Sequence, residues 1–224
     1  MNRLFVCLLL LLITACEGDD SSKQLPYIGH YDLEYSTVNG KQVIDTVYQP
    51  IGSFSFQNQE GNQVTNKRYA NKIWITEFFF ATCPTICPIM NAQMTKLTQE
   101  VRASNIQEHV QFLSFSIDPK KDTAEALKKY KDLHCADCQN WDFLTGDEAF
   151  THRLGIERFK VFAGREEEAA GGYAHSGAFS MVDKAGYLRG VYNITSFDGS
   201  VNKIEYHRLL KDLKNLIKQE IVTN

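Results

Sequence analysis

The chain has 224 residues, of which 43% are hydrophobic and 23% charged, and its formal net charge is −3. That length and apolar content suffice for one domain with a real core, plus tails. The acidic balance and the lack of any Lys/Arg cluster exclude nucleic acid as the main partner, because phosphate binding needs a basic surface.

The amino end reads MNRLFVCLLLLLITAC, with Arg3 ahead of an apolar stretch from Leu4 to Ile13. The stretch is too short for a mature transmembrane helix and has the pattern of an export signal. Its last five residues, Leu-Ile-Thr-Ala-Cys16, resemble the lipobox of bacterial lipoproteins, in which cleavage precedes a cysteine that receives lipid. Residues 1–15 are thus expected to be a lipoprotein signal peptide, 16–26 a polar tether beginning at lipidated Cys16, and 27–224 a single domain. The protein is expected outside the cytoplasm, anchored to a bacterial membrane and facing the periplasm. Cys7 falls in the removed segment. In an oxidising compartment Cys83, Cys87, Cys135 and Cys138 are all candidates for disulfides.

The runs HYDLEYSTV and KQVIDTVY flank Asn39-Gly40 and predict a β-hairpin on the edge of the main domain. IGSFSFQNQEGNQV (51–64) predicts a second hairpin turning at Asn58 to Gly61. KIWITEFFF (72–80) is nearly continuous in apolar character, the pattern of a strand buried on both faces and ending directly at Cys83. After Pro88, Met90, Met94, Leu97 and Val101 share one side of a helix, so the methionines read as core and not as thioether ligands. VQFLSFSI (110–117) predicts another buried strand. Asp122, with Glu125 three residues on, predicts the cap of a helix over roughly 123–133. WDFL (141–144), a short helix over 147–154, an antiparallel pair at 177–183 and 186–192, and an amphipathic helix over 201–218 complete the order. The β-α-β-α-β-α-β-β-α succession, with cysteines at the first strand-to-helix turn, predicts an α/β thioredoxin-like fold with an added N-terminal β-hairpin.

Pro88 lacks a backbone donor and suits a first helical turn, which puts Cys87 at or near the N-cap. The positive helix end is expected to lower the Cys87 thiol pKa. Pro84-Thr85-Ile86 is a short loop that brings the Cys83 and Cys87 sulfurs within reach of one another or of one ion. A redox pair, a metal clamp and a structural disulfide all stay open on these residues. The three-residue spacer, against two in a thioredoxin-type oxidoreductase, suits two sulfurs around an ion and still permits a disulfide.

FFFATCPTICP, SIDPKKDT (116–123), FLTG (143–146) and AHSGAFSMVDKAG (174–186) together resemble the Sco/SenC family of copper-binding assembly factors of cytochrome c oxidase, over roughly 51–216. The resemblance implies one Cu(I) or Cu(II) ion per chain, bound by Cys83, Cys87 and His175. It also implies delivery to the binuclear copper centre in the oxidase's copper-binding subunit, with an upstream copper donor or thiol reductant as further partner. Soft thiolates favour Cu(I), and imidazole suits either state. Gly171-Gly172 suggests a mobile loop that swings His175 onto the cysteines. The alternative is a thiol–disulfide oxidoreductase that keeps the oxidase's copper-ligating cysteines reduced, with Cys83 and Cys87 as its redox pair. Against it, no proline follows Pro119 to serve as the cis-proline such enzymes place opposite their cysteines.

Two features depart from the family. Ala174 stands where an acidic residue is common, and LHCADC (133–138) adds a cysteine pair that reads as a local disulfide before a second metal site. His30, His109, His152 and His207 read as surface or satisfied residues, Trp74 and Trp141 as core. Asp118 and Asp122 read as turn and cap residues and not as a catalytic acid–base pair.

Overall fold

A computed structural model describes residues 24–169, 171–196 and 198–222. The expectations for the signal peptide, for Cys16 and for the start of the tether lie outside the described residues. Among the described residues no helix is long and apolar enough to cross a membrane.

The domain is organised by the strand β5 (Ile73–Phe79), all seven residues of which are buried. Parallel strands β6 (Val110–Ser116) and β7 (Trp141–Thr145) lie on one side of it, and antiparallel β10 (Ala178–Val182) and β11 (Leu188–Asn193) on the other. The hairpin β3 (Ser55–Asn58) and β4 (Gln63–Thr65) extends the sheet beyond β7, giving the order β11-β10-β5-β6-β7-β3-β4. Successive side chains of β5 serve opposite faces, as a doubly covered strand requires. Phe79 meets Tyr130 on helix α2 (Ala124–Cys135), while Phe78 stacks on Phe115 and meets Phe159 edge-on.

Helix α1 (Cys87–Ala103) buries Met90, Met94, Leu97 and Val101, the stripe its sequence spacing predicts. The two methionines are fully buried core residues. Helix α3 (Glu148–Arg153) is capped by Asp147, whose side chain accepts from the Phe150 N–H, and runs into a wider turn through Phe159. The closing helix α4 (Lys203–Val222) packs against β11 and ties to α1 through Tyr206, whose hydroxyl donates to Glu100.

Three expectations need correction. Thr123, not Asp122, caps α2; the buried Asp122 carboxylate instead accepts from the Ala81 N–H at 3.1 Å and the Ser116 hydroxyl at 2.6 Å. It thus ties the end of β6 to the turn that carries Cys83. Strand β5 stops at Phe79, so Cys83 follows a three-residue turn and does not end the strand. The first hairpin, β1 (Tyr31–Val38) and β2 (Lys41–Tyr48), does form about Asn39-Gly40, both at positive φ. It is, however, a two-stranded sheet of its own and not a continuation of the main one, joined to the domain edge by backbone bonds beside its base.

Candidate metal centre

The site is assembled from three chain segments at the end of the sheet where β5 stops. Cys83 sits in the turn after β5, its N–H donating to the Phe80 carbonyl. Cys87 opens α1, with Pro88 in the first turn where its missing donor costs nothing. The third segment is a small hairpin that sequence reading missed, β8 (Ala163–Arg165) and β9 (Tyr173–His175), in which His175 pairs with Ala163. Both strands are only three residues long, too short for a periodic signal. His175 is therefore held in a paired strand, and the mobile loop inferred from Gly171-Gly172 is the turn of that hairpin.

Both glycines take positive φ, 87° and 81°. A Cβ at Gly171 would lie 2.7 Å from the Phe80 ring, so this position needs glycine for space as well as conformation. The Phe80 ring in turn lies edge-to-face against the His175 imidazole at 5.8 Å between centroids. The Tyr173 hydroxyl lies 3.3 Å from both Asp118 Oδ1 and Glu148 Oε1, which moors the hairpin to the turn after β6 and to α3.

His175 Nε2 is 2.9 Å from Cys87 Sγ and 3.9 Å from Cys83 Sγ. All three ligand atoms lie within 4.8 Å of one another, and all three residues are buried. Both cysteines carry free thiols. The Cys87 thiol, His175 and Thr85 hold the Cys83 thiol well below its ordinary range, against the opposing effect of its burial. Cys87 moves the other way. Burial pushes its thiol up, reinforced by the neighbouring Cys83, so the expected lowering by the helix end is overturned at Cys87. A helix terminus is worth at most about 2 kcal/mol to a charge, less than the cost of stripping water from a fully buried thiolate.

Beneath the pair lies a residue that sequence reading passed over. Glu77, the one acid in β5, is fully buried and accepts from the Ser114 hydroxyl at 2.6 Å. Burial pushes its carboxyl up to about 7. A lone carboxylate in an otherwise apolar strand was the available signal. Cys135 and Cys138 are bonded to one another, as the local-disulfide reading expects, against Thr98 on α1. Of the other histidines, His152 Nε2 lies 3.0 Å from the Ile117 carbonyl and His109 pairs with Glu108.

A thioredoxin-like sheet with a buried Cys-Cys-His group at its first strand-to-helix turn defines a class of thiol or metal-handling domains. Within it, the SCO1/SenC family model matches residues 45–207, and the chain belongs to that family. It is 32% identical to the SCO1 protein homolog of Bacillus subtilis over 177 residues, covering 79% of this chain and 87% of the relative. A SCO1/SenC family lipoprotein from Bacillus anthracis superposes with a TM-score of 0.65 at 30% identity, over 74% of this chain and 94% of that one. BsSco, described as a member of the Sco family of cytochrome c oxidase assembly proteins with a disulfide switch, superposes with a TM-score of 0.63 at 31% identity, over 75% and 92%. Yeast Sco1 with copper bound shares the fold at a TM-score of 0.57 and 22% identity, covering 73% of this chain and 87% of that one.

Proposed function

We propose that this protein is a copper metallochaperone that carries one copper ion on Cys83, Cys87 and His175 and delivers it to the binuclear copper centre of cytochrome c oxidase. The observation that carries the reading is the convergence of two thiols and one imidazole nitrogen within 4.8 Å in a buried pocket. Two soft sulfurs and an imidazole form a donor set that suits copper better than hard cations, which take oxygen ligands. Further support comes from membership of a family whose solved members include one named for oxidase assembly and one bearing copper.

Copper is the cargo, and the residues suit a site that must also let go. Three protein ligands leave room for an incoming thiolate or imidazole, so transfer proceeds by ligand exchange. A ligating histidine that is held firmly donates its second ring N–H to a carboxylate or carbonyl. Here His175 Nδ1 is buried with no protein partner, and Ala174 supplies no carboxylate. The ring is positioned by its strand, by Phe80 and by the two sulfurs at its Nε2, with no carboxylate behind it. On this reading Cys16 is the lipidated amino terminus of an exported protein; mass spectrometry of the mature amino end tests it, and an unmodified terminus elsewhere removes the anchor.

A second reading is favoured by the two free, adjacent thiols of opposite acidity. In a thiol–disulfide oxidoreductase the Cys83 thiolate attacks a substrate disulfide and Cys87 resolves the mixed disulfide, leaving Cys83–Cys87 oxidised and the substrate reduced. His175→Ala separates the two. For a copper chaperone the variant loses Cu(I) and Cu(II) affinity and oxidase copper content while thiol exchange survives. Full copper affinity and full oxidase assembly in that variant would give the oxidoreductase reading the lead.

A further inference from the structure

The β1–β2 hairpin has no use in the copper site, yet it exposes an ordered apolar surface. Tyr31, Leu33 and Tyr35 alternate along β1, and their partners across the hairpin are Tyr48, Thr46 and Ile44, so all six side chains share one face. Four of them are large and exposed: Tyr31 at 52%, Leu33 at 47%, Tyr35 at 71% and Ile44 at 59%. The opposite face carries Asp32, Glu34 and Asp45 against the single cation Lys41, with Ser36, the exposed Val38, and Val43 and Val47 half-buried among them. An isolated two-stranded sheet cannot cover such a face by itself.

Where the hairpin sits in the fold says what covers it. Its base hangs from the segment before it: the Ile28 N–H donates to the Leu188 carbonyl, and Arg189 donates to the carbonyls of Leu25 and Pro26 while stacking on the Tyr27 ring at 4.1 Å. Leu188 stands level with Val182, and Val182 with Trp74, at the start of β5. Cys83 follows the other end of that strand, roughly 20 Å away at about 3.3 Å per residue. The chain is thus clamped to the pole opposite the cysteines. Seven residues lie between Cys16 and Gln24, where the described structure begins, and the eight steps reach at most roughly 28 Å. A chain anchored at Cys16 therefore keeps this pole within that distance of the membrane, nearer than the cysteine pole. Tyr187, Tyr27, Tyr48 and Tyr31 lie in successive ring contact from the domain edge out to the apolar face. Tyrosine, apolar in its ring and polar at its tip, is the side chain favoured at the lipid–water boundary.

We propose that the Tyr31/Leu33/Tyr35/Ile44 face of the hairpin seats on the lipid surface, as a foot that holds the Cys83–Cys87–His175 pole outward toward the partner. The opposite face, with three acids against one lysine, is the more polar of the two and turns to water. The proposal rests on the Cys16 anchor argued above, and the experiment keeps the two apart. The full chain carrying Tyr35→Trp is reconstituted into phosphatidylcholine vesicles with and without bromine on the acyl chains. Ser36→Trp, on the opposite face, is the control. Trp74 and Trp141 are buried in the domain and give a constant background. Vesicle flotation and the mass of the amino end report the anchor. The foot predicts that Tyr35→Trp loses at least about half its added emission to the brominated lipid, while Ser36→Trp loses little. Quenching of Tyr35→Trp with an unmodified Cys16 upholds the foot and removes the anchor. Flotation without quenching overturns the foot and leaves the anchor standing. Loss of both overturns both. Where quenching is absent, a doubled hydrodynamic mass assigns the face to a second copy, and monomer mass assigns it to a partner protein.

Discussion

Glu77→Gln tests whether the buried acid beneath the cysteines is held at the expense of stability. The carboxyl is fully buried, its Oε1 accepts from Ser114, and Oε2 has no partner. The Ser114 hydroxyl in turn accepts from the Trp141 indole N–H at 2.9 Å. Tyr130 on α2 and Cys87 on α1 are the titratable groups that feel its charge, and both are pushed up by burial first and by Glu77 among the lesser causes. Glu77 itself rises from its usual 4.5 to about 7. A folded-state pKa raised above the unfolded one means that the native state binds the extra proton. The penalty is absent below pH 4.5, grows as pH rises, and is complete above about pH 7. At about 1.4 kcal/mol per pH unit the full effect is about 3 kcal/mol. Glutamine keeps the acceptor for Ser114 and never ionises. Urea unfolding of both proteins, with the thiols reduced and no metal, is expected to show near-equal stability at pH 4 and an advantage of about 3 kcal/mol for Glu77→Gln at pH 8. The same difference at both pH values would refute the buried-charge argument.

Replacing Cys135 and Cys138 together by serine is expected to leave one copper per chain. Stability falls by less than the roughly 3 kcal/mol of a fifteen-residue loop, as read by metal analysis and denaturant unfolding. Gly171→Val places a β-branched side chain at positive φ against Phe80, which displaces β9 and weakens Cu(I) affinity at least about tenfold in a chelator competition, with circular dichroism unchanged. Arg189→Ala leaves the Asp183 carboxylate buried without the guanidinium it meets at 2.8 Å. Unfolding free energy is expected to drop by about 3 kcal/mol or more, and Asp183→Asn in the same chain recovers part of the loss.

The order of elements and the chemistry of the first turn are legible in the residues alone. Strand β5 announces itself by unbroken apolar character and α1 by the spacing of Met90, Met94, Leu97 and Val101, since burial on two faces or on one stripe must be written into composition. The motifs about Cys83, Cys87 and His175 name three residues whose sulfurs and ring nitrogen the fold brings within 4.8 Å of one another. The rest depends on distance and solvent, which no local pattern encodes. Thr123 took the cap because the Asp122 carboxylate found the Ala81 N–H, 41 residues away, and the Ser116 hydroxyl. Cys87 rose in pKa and Cys83 fell because one thiol lost its water and the other gained a donor, a difference invisible in two identical Cys-Pro pairs. The hairpin that holds His175 has two three-residue strands, whose pairing is made by the surrounding packing and not by propensity. The sequence also wrote Glu77 into an apolar strand without saying what it faces. The packing of α1, α2 and β6 over that carboxyl is what turns an ordinary acid into one that keeps its proton to about pH 7.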